Sequence, residues 1–411
     1  MKQFARSVPV ILFLSVASLS LIALAGCGAS GSSNSGSGNS SGPMAAKNIY
    51  TIQNSFNETT EIEQDSVLVF SASSTGSTTP TSTLMLPSNF EGDALAVGPQ
   101  GQIYVGGIQF DGNVIVSGQI LEYPAGSSGS ATPTVTLNGS SAGTATFTYP
   151  NALAVNSAGT LFVSSLDGSL EAFASGFTAS SAPTQYLTWV MTNFGGQGGP
   201  IGADTAGDIF YLDSGIGASY GAIYMFAAGA TGATVPVRMI TGTNTASFSD
   251  PINIAVDGAG DVYVANYNQL DDPNAPPPES NGASKRLRAR GPERARPSIA
   301  YPHTTTPPLE PTGIIEFAAG ATGAATPMKR IGGAGAATNA TNIVEPYGLA
   351  LDAASNLYYA DANGGYVTRD NPLLLEVFPS SATGNVAPAA SLTSPSYTLF
   401  DFFNFGEVAV F

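Results

Sequence analysis

"DPINIAVDGAGDVYVAN", Asp250 to Asn266, sets two apolar runs either side of a short turn, with Asp257 and Asp261 four residues apart across Gly258-Ala259-Gly260. Two carboxylates at that spacing, with Asp250 upstream, suit either a small calcium loop or a turn between strands. Sister copies decide between them. The same form returns as "DALAVGPQGQIYVGG" (Asp93 to Gly107), "NALAVNSAGTLFVSS" (Asn151 to Ser165), "PIGADTAGDIFYLDS" (Pro200 to Ser214) and "YGLALDAASNLYYAD" (Tyr347 to Asp361). A worn copy, "LFDFFNFGEVAVF", closes the chain at Phe411. In the place of Asp257 these carry Gly98, Asn156, Asp204, Asp352 and Phe403; in the place of Asp261 they carry Gln102, Thr160, Asp208, Asn356 and Glu407. A calcium loop needs oxygen ligands where the copies have Gly, Phe and Thr. Asp or Asn before a Gly-containing turn hydrogen-bonds its own backbone. The stretch reads as a hairpin, with no metal.

Each hairpin is followed by a third strand, as in "QILEYPAG" from Gln119, "SLEAFASG" from Ser169, "AIYMFAAG" from Ala222, "GIIEFAAG" from Gly313 and "LLEVFPSS" from Leu374. A shorter fourth strand comes next, such as "VPVRMITG" near Val237 or "TPMKRIGG" near Lys329. The turn residues Gly101, Gly159, Gly207, Gly260, Ser355 and Gly406 are spaced by 58, 48, 53, 95 and 51 residues. Four short strands repeated at roughly 40 to 50 residues are the signature of a β-propeller blade. The fold expected is an all-β, six-bladed β-propeller of four-stranded blades. The chain enters on "NIYTIQ" (Asn48 to Gln53), a second-strand sequence, and continues with "VLVFSAS" from Val67. The closing blade is expected to join a C-terminal first and second strand to N-terminal third and fourth strands. "NIYTIQ" would then be left over, at the rim or counting toward a seventh blade.

The pattern P-x-x-[IL]-A-[VL]-D-x-x-G-[ND]-[VL]-Y-V-A-[ND] followed by [IL]-x-[EV]-F resembles NHL-type repeats, also shared with gluconolactonase-like propellers. It matches best at Pro251 to Asn266 and Pro346 to Asp361, and the resemblance covers most of residues 48 to 411. It implies the fold more than any activity, because one fold carries many functions.

The N-terminus is of a different kind. Lys2 and Arg6 precede "VPVILFLSVASLSLIALAG", a basic region and an apolar core of export-signal length. The core ends "LAGC", Leu24 to Cys27, which resembles the lipobox of bacterial lipoproteins. That resemblance implies cleavage before Cys27, lipid attachment at Cys27, and outer-membrane sorting from Gly28 where two membranes exist. Cys27 is the only cysteine, so it has no disulfide partner within the chain. "GASGSSNSGSGNSSGP", Gly28 to Pro43, cannot form a core and reads as a flexible tether. The organisation is a signal over 1–26, the lipidated Cys and tether over 27–46, and the propeller over 47–411. A Pro- and Arg-rich insertion, expected to be a disordered loop, interrupts the propeller at 268–311.

Formal net charge is −16. That argues against nucleic acid or anionic lipid head groups as partners of the surface as a whole. His303, the only histidine, lies in the insertion, so nucleophile–base catalysis has few groups to draw on. Trp189 is also single, and reads as packing between blades. Aligning the units puts Asp93, Asn151, Gly199, Ile252, Tyr347 and Thr398 where the first strands enter a central channel. Asp93, Asn151, Tyr347 and Thr398 are the ligand-binding candidates. A lactonase would need several carboxylates or amides converging there on a divalent cation, with only Glu91, Asp250 or Glu345 near enough to help. The leading expectation is a monomeric, membrane-anchored, non-enzymatic binding or scaffold module outside the cytoplasm, without cofactor. Its ligand would be a protein, peptide or glycan. A metal-dependent lactonase-type hydrolase is the alternative.

Overall fold

The computed structural model describes residues 46–411 apart from 54–55, 58–61, 112–113, 140–146, 195–197, 215–220, 242–250, 268–311, 333–340, 342, 344–345, 362–371 and 399–407. The readings of the signal, Cys27, the tether and the insertion, and of His303 within it, fall outside the described residues. The described strands belong to one compact unit, Gly42–Phe411.

Six antiparallel sheets form the ring. Blade 1 is built from Phe90–Val97, Ile103–Asp111, Val114–Tyr123 and Val135–Asn138. Blade 2 follows with Pro150–Val155, Leu161–Ser165, Leu170–Phe173 and Gln185–Leu187. Blade 3 has Ile201–Ala203, Ile209–Asp213, Ala222–Phe226 and Arg238–Thr241. Blade 4 has Pro251–Val256, Val262–Asn266, Gly313–Phe317 and Lys329–Ile331. Blade 5 has Pro346–Leu351, Leu357–Asp361, Pro372–Phe378 and Ala390–Thr398.

Blade 6 joins the chain ends and differs from the sequence expectation. Val408–Val410 is its first strand and Asn48–Gln53, the "NIYTIQ" stretch, its second; Ser66–Ser71 and Ser82–Met85 complete it. "NIYTIQ" is therefore neither a rim strand nor part of a seventh blade. Ile49 pairs with Val410 and with Phe70 on its other side. The break in the chain falls where other blades have their turn. Phe411 O accepts the N–H groups of Lys47 and Asn48, at 2.7 and 2.9 Å, in the place of an Asp or Asn. Phe403 and Glu407, set against Asp257 and Asp261 in the sequence alignment, lie outside the described residues.

The opening stretch is a hairpin, and its charges are used by the turn. Asp257 Oδ1 accepts the N–H groups of Ala259 at 2.9 Å and Asp261 at 3.0 Å. Asn156 and Asp352 do the same for the residues two and four further on. Gly260 has φ +88°, a conformation that disfavours residues with a Cβ. The second polar position does separate work. Asp261, Asp208 and Asn356 accept the N–H groups of Ala319, Ala228 and Ser380, tying each hairpin to the loop that leaves its own third strand.

Alternating side chains of each blade meet those of the next, giving six hydrophobic clusters, one per seam. The third strand carries a fully buried aromatic at or next to its end in every blade: Phe70, Tyr123, Phe173, Phe226, Phe317 and Phe378. Trp189 opens a six-residue helix, Trp189–Phe194, and packs on Tyr224 and Phe226 of the following blade at 5.1 and 5.7 Å between ring centroids.

The seams carry a backbone link as well. After the third strand of blade 3, Gly232 adopts φ +61° and forms a parallel bridge with Leu187 in the fourth strand of blade 2. Its N–H donates to Tyr186 O at 2.7 Å, and its carbonyl accepts from Thr188 N–H at 2.8 Å. Gly129, Gly323 and Gly384 bridge to Leu84, Ile240 and Ile331 in the same way, and Gly76–Ser77 runs parallel to Leu392 and Thr393. Fourth strands are sheet edges, and this link occupies five of them. At the seam between blades 1 and 2 Ala179 stands in the glycine position. That seam is filled instead by Phe177, whose ring lies 6.0 Å from Tyr104 and 5.8 Å from Phe173.

Candidate functional site

The first strands converge on a cavity of about 190 Å³ along the ring axis, which all six of them line. Most of the lining side chains are small and apolar, as in Ala152, Ala154, Ile254, Ala255, Leu349 and Ala409, while the surface they leave accessible is somewhat more polar than apolar. This is space for a side chain and a few waters, below the several hundred Å³ usual for a drug-sized ligand.

Four of the six positions aligned in the sequence share a definite backbone feature. Pairing of the first and second strands slips between Gly92 and Ala94, Pro150 and Ala152, Pro251 and Asn253, and Pro346 and Gly348. Asp93, Asn151, Ile252 and Tyr347 are the extra residues of these four β-bulges. A bulge leaves one residue out of the ladder and re-aims its side chain. Repetition of the bulge at the same end of the strand explains why these positions align while their residue types do not. In blade 3 the first strand is short, and Gly199 and Pro200 stand at that end.

Asn151 lines the cavity, and Asp93 does not. Asp93 is buried at its bulge, close to where Asp65 Oδ2 accepts the Gly92 N–H at 2.8 Å. Thr398 is a correction. It lies in the fourth strand of blade 5, where it pairs with Pro372, and not in a first strand. The alignment displaced it because the last copy was read as a complete hairpin, although its two strands come from opposite ends of the chain. Of the neighbours considered, Glu91 pairs with Ile108 in the blade 1 sheet, and Asp250 and Glu345 lie outside the described residues.

Sequence reasoning passed over the second-strand ends that face the bulges. This column holds Gly107, Ser165, Asp213, Asn266 and Asp361. Ser165, Asn266 and Asp361 are fully buried. Ser165 Oγ accepts the N–H groups of Thr148 and Tyr149 and donates to Tyr149 O, fixing the approach to the blade 2 bulge. Asp361 accepts the Tyr359 hydroxyl at 2.7 Å. Asp213 differs: it is half-buried and lines the cavity together with Ser214. Burial first, then the Asp213 carboxylate, push the Tyr211 hydroxyl well above its ordinary range; both act on Tyr224 in the same direction. The signal was present, since the repeat pattern ends in [ND] at this column.

Asp213 is the single carboxylate among the described cavity-lining residues. No group of three or more His, Cys, Asp or Glu side chains that could hold a metal occurs among the described residues. A divalent hard cation asks for six or more oxygens with two or three acidic groups among them. The donor set described does not fit one.

No protein-family model matches the chain, and no curated protein matches it. Solved structures similar to it include three at low identity. The WD40 repeats of RRP9 match with a TM-score of 0.42 and 7% identity, over 76% of this chain and 70% of that one. U3-55K gives 0.41 and 7%, over 76% and 71%. The β-propeller domain of Cps50 (Swd1) from Myceliophteria thermophila gives 0.41 and 8%, over 84% and 86%. Likeness of this degree adds no argument to the one already made from strands and registers. The chain is a six-bladed β-propeller.

Proposed function

We propose that this chain is a lipid-anchored propeller of the cell envelope that binds or scaffolds a protein, peptide or glycan, and performs no chemistry of its own. The observation that carries the binding reading is the composition of the channel. A narrow cavity lined by all six blades, with small apolar side chains and a few polar groups, suits recognition of one small group. Its one carboxylate and the absence of a lining His among the described residues give hydrolysis little to work with.

The anchoring half rests on the sequence alone, on "LAGC" at Leu24 to Cys27 and the uncharged tether behind it. Two acyl signals on one N-terminus would hold the protein stably in a bilayer. Ala46 N–H donates to Asp352 Oδ2 at 3.0 Å, so the chain joins the ring on the face of the hairpin turns, opposite the bulges. NHL-type ancestry is likewise a reading of the repeat pattern.

The test is a pair of measurements. Cys27→Ser in the full-length protein is expected to abolish labelling by a fatty acid and to move the protein from the membrane to the soluble fraction. Unchanged membrane association of that variant would refute anchoring. Calcium, zinc and manganese are each expected to leave the melting temperature unchanged, and lactones to remain intact. Metal-dependent lactone hydrolysis would replace the binding reading with the hydrolase one.

A further inference from the structure

The outer edge of blade 1 is open where those of its neighbours are occupied. Gly139 N–H donates to Gly118 O at 2.9 Å. Hydrogen-bonded pairs alternate along an antiparallel ladder, so Leu137 and Ile120 form the next such pair, and Asn138 opposite Gln119 does not. The Asn138 N–H and the Thr136 carbonyl therefore point out of the sheet. Neither has a hydrogen-bond partner among the described residues. Asn138 is exposed and Thr136 half-buried, so solvent reaches both. In blade 6 the same two positions are taken: Met85 N–H donates to Gly129 O, and Thr83 O accepts the Gly129 N–H. Thr188 and Tyr186 hold Gly232 in this way in blade 2, and Thr241 and Met239 hold Gly323 in blade 3.

The segment that would fill the edge of blade 1 is closed on itself. After the third strand of blade 2, Thr178 N–H donates to Ser181 Oγ at 2.9 Å, and Ser181 N–H to Thr178 O at 3.0 Å. Ala179 within that turn is exposed, and Phe177 before it is buried in the seam. The sister positions Gly76, Gly129, Gly232, Gly323 and Gly384 all adopt φ of +59 to +71°, which an alanine disfavours. These five links display what the edge accepts. It is a short extended segment, parallel to the fourth strand, with a left-handed glycine opposite the strand's buried residue.

A second feature lies on the same blade. Asn138 pairs with Gln119, and Val114, Ile115 and Val116 stand further along the third strand, beyond the end of the fourth. They are 67, 48 and 57% exposed, the one run of three consecutive large apolar side chains in solvent among the described residues. No charge occurs from Gly112 to Gln119 or from Val135 to Gly139. A segment added here would meet free backbone first and an apolar seat after it. A second copy has no described segment to spare. Five of its links serve its own ring, and the sixth is the closed turn.

We propose that the edge of blade 1 receives an extended peptide of a partner protein as a fifth, parallel strand. A glycine of the peptide opposite Leu137 donates its N–H to Thr136 O and accepts the Asn138 N–H at its carbonyl. Residues after that glycine run toward Val114–Val116, which take up apolar side chains. Strand addition draws affinity from main-chain hydrogen bonds and specificity from the side chains beside them. The site lies at the rim and goes beyond the channel reading, standing or falling separately from it.

The test is calorimetric titration of the full-length protein with acetyl-Ala-Thr-Gly-Val-Val-amide and with the same peptide carrying N-methylglycine for glycine. The first is expected to bind and the second to bind about tenfold more weakly or worse, because it lacks the donor to Thr136 O. Asn138→Pro deletes the edge N–H, which the ladder does not use, and proline is tolerated where that group faces solvent. It is expected to weaken the glycine peptide by about tenfold. Asn138→Ala loses the same side-chain contact with Gln119 but keeps the N–H, and is expected to bind like the unaltered protein. Melting temperatures show whether each ring is intact. Hydrogen–deuterium exchange needs no variant. Val135–Asn138 is expected to exchange faster than Ser82–Met85, Gln185–Leu187 and Arg238–Thr241, and to be slowed by saturating peptide. Equal binding of the two peptides, binding of neither, or undiminished affinity in a folded Asn138→Pro would overturn the site. Exchange at Val135–Asn138 that the peptide leaves unchanged would do so too. Self-association abolished by Asn138→Pro would make the occupant a second copy and overturn the partner assignment.

Discussion

The two ends of each inner strand face opposite demands, and their residues differ accordingly. At the turn end Asn156, Asp204, Asp257 and Asp352 are nearly one residue type doing one job, holding the N–H groups of their own turn. At the bulge end Asp93, Asn151, Ile252 and Tyr347 share a backbone irregularity and no chemistry. Sameness across these four copies marks what the ring uses repeatedly. Difference marks what it needs once. A pair of acidic residues in the uniform set, such as Asp257 and Asp261, is therefore structure.

The largest test of this contrast removes a turn carboxylate. Asp352 accepts from Ala354 and Asn356 N–H, Asn356 Nδ2, the Tyr358 hydroxyl and the Ala46 N–H. Asp352→Ala is expected to cost about 2 to 4 kcal/mol, a fall of roughly 5 °C or more in melting temperature. Asn151→Leu, at the other end of an inner strand, is expected to change stability by less than about 1 kcal/mol, because it also removes an unsatisfied acceptor. A reversed order in calorimetry would break the division between structural and free ends.

Alkali probes the same turn face through its tyrosines. Tyr358 donates to Asp352, and its hydroxyl is held above its ordinary range by burial first and by that carboxylate second. Tyr263 is raised by burial, then by Glu316, Asp257 and Asp261. Tyr104, at the seam that Phe177 fills, is pushed up to about 12, by burial and then Glu122. A group whose folded value lies above its unfolded one stabilises the fold below the unfolded value and loses that contribution as pH rises. Stability is thus expected to hold up to about pH 10, the ordinary tyrosine value, and to decline from there to pH 12. Tyr358→Phe should reduce that decline. A denaturant midpoint constant from pH 8 to 12 would remove the coupling.

Repetition governed what the sequence disclosed. The hairpin, the four-strand unit and the number of blades were legible because each is written several times with turn residues attached. The ring closure was misread because its first and second strands meet at the two termini, so no turn sequence announces them. Thr398 was misplaced by the same error. The glycine links between blades were missed for another reason. Gly232 touches Leu187 of a different repeat, and a contact between units leaves no local pattern in either. Alignment set Asn151 and Tyr347 at one equivalent position, but the bulge they share left no mark in the sequence. Asp213 was passed over because its column, Ser165, Asn266 and Asp361, reads as a strand end whose polarity is absorbed by burial.

Those glycine links give a finer comparison, between five linked seams and the unlinked one. Gly323 has φ +64° with open space where a Cβ would go, so Gly323→Ala meets backbone strain and no clash. The expected cost is about 1 to 2 kcal/mol. Ala179→Gly, at the unlinked seam, restores the residue but not the link, since Phe177 fills that interface, and is expected to be neutral or slightly destabilising through unfolded-chain entropy. A stabilising Ala179→Gly would show that the missing link is only a missing glycine.

The smallest expected effect returns to the stretch that first suggested a metal. Asp257 Oδ1 is engaged by two backbone N–H groups, and Asp257 Oδ2 accepts the Ser355 hydroxyl of the next blade at 3.0 Å. Both oxygens point inward on their own turn and seam, so a calcium ion would have to displace three hydrogen bonds to gain one ligand residue. Millimolar calcium is expected to leave the melting temperature unmoved. Asp257→Asn keeps an acceptor for the turn and is expected to cost less than about 1 kcal/mol, because Asn caps such turns nearly as well as Asp. Asn156 already does so in blade 2. A calcium-induced rise that disappears in Asp257→Asn would make this copy a specialised site and end the rule that the uniform end of the strand is structural.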